Sequence, residues 1–211
     1  RIVETCMLRP HGKLWQKPRQ SKPSQRSDPM ALLILGVLLW TAAHLFKRVA
    51  PDARARMGNA GKGVATVAIL ASIVLMYVGY GRADGAFFWG RHPATVGINN
   101  LLMIFSVYLF AASGMKTRMG QKMRHPQLIA VKTWALAHLL VNGDLASFIL
   151  FGGLLAWAVV EVIVINKQSE WSRPAHVLTE PKKEITAIVA TLVVYGVIVG
   201  IHYWAGYPTF G

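Results

Sequence analysis

Residues 123–146, MRHPQLIAVKTWALAHLLVNGDLA, place two histidines, a lysine, an asparagine and an aspartate in a run otherwise apolar enough for a membrane interior. Ionisable side chains at membrane depth are costly, face the bundle interior and mark function. His138 follows His125 by 13 residues, about 20 Å along a helix. Successive turns leave the two about 220° apart, on nearly opposite faces, so a straight helix cannot aim both into one small pocket. Trp134, His138 and Asn142 recur at four-residue spacing and share a face. A neutral imidazole at depth is either a metal ligand or a structural group bonded to a neighbouring helix, and the polar residues around His138 favour the ligand. Asn142-Gly143-Asp144 reads first as a turn. Its amide and carboxylate could also orient the second nitrogen of a metal-bound histidine.

Other histidines extend the set. His125 lies between Arg124 and Pro126, at a helix start, as a cap or interfacial residue; Arg91-His92-Pro93 repeats the triplet. His44 follows Trp40 by four residues and has no partner in its own helix. Glu161 stands at a similar depth, which allows a contact with His44. His202 falls near the end of the last apolar run, at a depth close to His138. Judged by depth, His138 pairs with His202 and His44 with His125, while His44 and His138 are offset by about 12 Å.

The elements that must position these groups are membrane helices. Of 211 residues 54% are hydrophobic and 15% charged, against about 25% charged in soluble domains; the mean hydropathy is +0.39. A spanning helix needs about 20 apolar residues. Six candidates cover residues 31–50, 64–80, 94–115, 127–141, 146–165 and 185–205, the fourth being the shortest and most polar. Short connections make neighbours antiparallel, and the fold class is an all-α polytopic membrane bundle. No strand alternation competes.

The net charge of +14 does not point to nucleic acid. The connections after the first, third and fifth spans carry 13 of the chain's 23 Lys and Arg, whereas those after the second and fourth hold only Arg82 and Arg91. The basic connections therefore face the cytoplasm and both chain ends the other side. The single cysteine excludes an internal disulfide and a multi-cysteine metal site. There is no Cys-x-x-Cys-His for covalent haem, no Walker motif and no dinucleotide fingerprint.

Residues 1–29 carry seven Lys and Arg with prolines and serines and no hydrophobic period. Translocating them opposes the charge rule. They are expected to form a leader outside the domain, disordered or upstream of a true start at Met30, with a signal peptide as the alternative. The transmembrane domain is then 30–211.

The run RHPQLIAVKTWALAHLLVNGDLASFILFGGLLAWAVVE resembles the NnrU family of bacterial integral membrane proteins through R-H-P, W-x-x-A-H and N-G-D. A looser likeness extends over 30–211, includes the histidine of the first span and omits the leader. That family is related to the plant and cyanobacterial 15-cis-ζ-carotene isomerase, whose members bind haem b through histidines. The resemblance implies haem b held by His44 and His138. Depth keeps His125 and His202 as alternatives, and spacing makes Trp134, Asn142 and Asp144 the supporting residues. The resemblance also implies the bacterial inner membrane and a link to nitrite and nitric oxide reduction, with a small diatomic as ligand. Asn-Gly-Asp after His138, and His44-Leu45-Phe46 in place of His-Ser-Gly, depart from the isomerase pattern. Three functions stay open: a haem protein of nitrogen-oxide metabolism, a haem-dependent isomerase of a polyene lipid, and a haem-free assembly subunit.

Overall fold

A computed structural model describes residues 29–210; the expectations for the leader lie outside the described residues. The apolar runs form helices α1 (Pro29–Val49), α3 (Gly58–Tyr80), α4 (Pro93–Gly114), α6 (Pro126–Val141) and α9 (Pro181–Trp204), with short α2 (Pro51–Arg56) and α5 (Arg118–Lys122) in the basic connections. The fifth run is one continuous helix, Leu145–Gln168. It comprises α7 (Leu145–Ser147), a π-helical turn (Phe148–Gly152) and α8 (Gly153–Gln168). Proline opens α2, α4, α6 and α9, where its missing N–H leaves no bond unmade.

Five of these helices are long and apolar enough to cross a membrane. The sixth expected span is α6, which has only 16 residues, about 24 Å against a hydrocarbon core of about 30 Å. It stops early because the Asn142 side chain donates to the His138 carbonyl, 3.0 Å, and the chain then becomes extended. There Gly143–Asp144 (β2) pairs antiparallel with Phe87–Trp89 (β1), opposing Phe87 to Asp144 and Trp89 to Gly143. This small ladder is a minor addition to an all-α bundle.

The helices expose Leu35, Leu38, Val67, Val74, Val193 and Val197, and their outward faces are as apolar as a hydrocarbon solvent requires. Interfaces use small and polar residues, as membrane bundles do. Ser106 donates to the Ala130 carbonyl at 2.8 Å, and Asn99 to the Ala137 carbonyl at 2.8 Å, fixing α4 on α6. Gly153 lets α8 close on α1: a Cβ there would stand 2.7 Å from Val37 Cγ1. Packing runs from α3 to α1, from α1 to α8, from α8 to α6, and from α6 through α4 to α9. The chain is a multi-pass helical membrane protein whose apolar faces meet lipid.

Candidate functional site

His138 sits near the end of α6, and its Nδ1 lies 3.0 Å from the Trp134 carbonyl oxygen. A carbonyl only accepts, so Nδ1 carries the proton and Nε2 keeps its lone pair. Nε2 has no hydrogen-bond partner among the described residues. The π-helical turn delivers Phe151 against the ring, stacked at 4.6 Å and 27°. Trp134 lies 5.0 Å from both His138 and Phe151, and Tyr80 of α3 meets Phe151 edge-on at 5.8 Å. A hydroxyl chain closes this nest. Asp144 accepts from Ser147 Oγ at 2.7 Å and from its backbone N–H at 2.9 Å. With its own proton spent on Asp144, Ser147 Oγ accepts from the Tyr80 hydroxyl at 2.9 Å.

His44 occupies a second nest. Its Nδ1 donates to the Trp40 carbonyl at 2.9 Å by the same argument, which again leaves Nε2 with the lone pair. The ring lies 4.1 Å from Trp40 and 4.7 Å from Trp157 of α8. Glu161 does not pair with His44. One turn beyond His44, the Arg48 guanidinium reaches Glu161 Oε1 at 3.8 Å and takes its charge. Around this nest Trp40 Nε1, Trp157 Nε1, Arg48 Nε and Glu161 Oε2 are buried without a hydrogen-bond partner among the described residues.

His202 repeats the pattern, with Nδ1 donating to the Ile198 carbonyl at 2.8 Å, and it lies within electrostatic reach of His138. His125 differs. It is the N-cap residue of α6, yet its ring Nε2 bonds Asn166 Oδ1 of α8 at 2.8 Å, so protein rather than solvent satisfies it. Beside it Arg124 donates to the Ser169 carbonyl, and the triplet thus ties the start of α6 to the end of α8. In the sister triplet, His92 caps α4 reciprocally with Thr95.

The structure does not join the His44 and His138 rings directly. They stand against Trp157 and Phe151, six positions apart on one helix, an offset of about 9 Å. Nor do Asn142 and Asp144 bond the His138 ring. Asn142 seals the helix end, and Asp144 caps α7. Gly143 is buried with the Trp89 indole lying directly over it, so N-G-D is a built corner. Sequence reasoning overlooked Phe151, Tyr80, Arg48 and Trp157. Only Trp157 carried a readable signal, four residues before Glu161 on the same face.

The family model described as NnrU protein matches residues 32–209, nearly the whole described chain. The chain belongs to the NnrU family. Neither a curated protein nor a solved structure matches it. The motifs that carry the NnrU resemblance now have places: R-H-P at the α6–α8 tie, W-x-x-A-H in the aromatic nest, and N-G-D at the capped corner.

Proposed function

We propose that this NnrU protein binds haem b in the bacterial inner membrane and serves nitrite and nitric oxide reduction. The observation that carries the proposal is shared by His44, His138 and His202. Each spends Nδ1–H on the carbonyl one turn back in its own helix and keeps Nε2 for a ligand. A metal-bound histidine has this arrangement, its second nitrogen held by a carbonyl that fixes tautomer and ring orientation. Among the described residues no three His, Cys, Asp or Glu side chains converge. Two imidazoles suffice for an iron whose equatorial ligands come from a macrocycle.

The remaining polar groups fit the same cofactor. Among the described residues the buried Trp40 and Trp157 indole N–H groups are donors without an acceptor, and an acceptor on the cofactor would satisfy them. His138 is the first iron ligand in this reading, with Phe151 holding its ring plane. The second imidazole would come from His44, which the family likeness implies, or from His202, whose ring has the same arrangement. Such a haem would supply one-electron chemistry or a site for a small diatomic.

The test is a reduced-minus-oxidised spectrum of haem-replete purified protein, followed by His44→Ala and His202→Ala. A haem b band is expected, weakened in only one of these variants, which names the second ligand. An empty spectrum would leave the histidines structural and the protein an assembly subunit. Turnover of a polyene lipid by the loaded protein would replace nitrogen-oxide chemistry with isomerisation.

A further inference from the structure

At the basic end of the bundle, a cavity of about 540 Å³ opens between α5 and the start of α9. Arg118 and Lys122, four residues apart and so on one face of α5, supply one wall together with Met119. Pro181, Glu184 and Ile185 supply the other, and Thr179 leads into it. The walls are pinned together by Glu184, whose Oε1 accepts the Arg118 backbone N–H at 2.6 Å and the Thr179 hydroxyl at 3.3 Å. The Glu184 carboxylate is therefore occupied by neutral donors in the first turn of a 24-residue helix, whose dipole favours it there. The Arg118 guanidinium and the Lys122 ammonium have no salt bridge among the described residues. The apolar part of the lining is Met119 and Ile185, 41% and 62% exposed, where α9 enters the hydrocarbon layer.

We propose that this cavity holds the headgroup of an anionic phospholipid from the cytoplasmic leaflet. Two cations on the wall of a largely apolar cavity suit a phosphodiester that carries acyl chains, and basic pockets between helices at the cytoplasmic face recognise such headgroups. The exposed Met119 and Ile185 give nothing to a free inorganic phosphate. They give an acyl chain a path down the side of α9. The site is independent of the histidines and of any cofactor.

The experiment is native mass spectrometry of the full chain in detergent, titrated with phosphatidylglycerol, phosphatidylcholine or inorganic phosphate. Phosphatidylglycerol is expected to bind at least tenfold more tightly than phosphatidylcholine. The Arg118→Gln/Lys122→Gln pair should weaken it by about thirtyfold, with helical content unchanged by circular dichroism. Arg118→Lys should keep most of the binding. A control pair of equal charge, Arg56→Gln/Lys62→Gln, lies at the same end in other elements and should leave binding within about threefold. Equal loss in the control pair would overturn the site in favour of diffuse surface attraction. Displacement of the lipid by millimolar inorganic phosphate would overturn its lipid character, and equal affinity for phosphatidylcholine would overturn both.

Discussion

Phe151 lies stacked on His138, with ring centroids 4.6 Å apart and planes 27° from parallel. The contact depends on a π-helical turn at Phe148–Gly152, which sets the direction of this aromatic relative to the rest of its helix. Such turns are rare and concentrate at functional sites. Phe151 also touches Trp134 and Tyr80, so one side chain from the π-turn holds α6 and α3 together around the imidazole.

Removing that ring should loosen the nest. Phe151 is 5% exposed, and Phe151→Ala should destabilise the fold by about 3–5 kcal/mol, with Phe151→Leu costing a smaller part. Denaturant unfolding in mixed micelles, followed by circular dichroism, reads both. A neutral Phe151→Ala would show that the stack does not order the nest.

The Arg48–Glu161 pair lies one turn from His44. Glu161 is 6% exposed, and Arg48→Gln strands its carboxylate at a cost of about 3 kcal/mol, at the low end for a buried pair because the guanidinium is partly exposed. Replacing both residues with leucine should cost less than either single change. Additive effects in the double-mutant cycle would mean that the two groups are not coupled.

His125→Ala removes a hydrogen bond to Asn166. The expected loss is about 1 kcal/mol of stability, with only a modest reduction in bound haem. Asn166→Ala should reproduce it. A stability change in one variant without the other would break the proposed tie between α6 and α8.

A reporter fused after Gly211 should lie outside the cytoplasm. The Thr209 carbonyl accepts from Asn100 of α4 at 3.1 Å, which sets the tail toward the α4 end opposite Arg118. The basic connections at that opposite end should stay inside. Reporter activity in the cytoplasm would reverse the orientation or remove the sixth crossing.

Much of this was legible in the sequence because hydrocarbon is a simple solvent. Long apolar runs separated by basic connections announce helices, and proline marks where α4 and α6 begin. The β1–β2 ladder was not legible, since three residues opposite two carry no period. The π-turn was hidden because it packs against α6 and α1, which no local sequence pattern reveals. Glu161 was matched to His44 by depth alone. Its real partner, Arg48, lies one turn on, and depth cannot resolve one turn of a tilted helix. Asn142 and Asp144 were read as turn residues or imidazole partners, and the corner they build uses their short side chains as helix caps.

The most direct test of the account is the haem spectrum of His138→Ala beside that of His125→Ala. His138 presents a free Nε2 inside an aromatic nest, and His125 has its Nε2 engaged by Asn166. The account predicts that the bis-imidazole signature vanishes in His138→Ala and survives in His125→Ala. A signature that survives in His138→Ala and is lost in His125→Ala would contradict it.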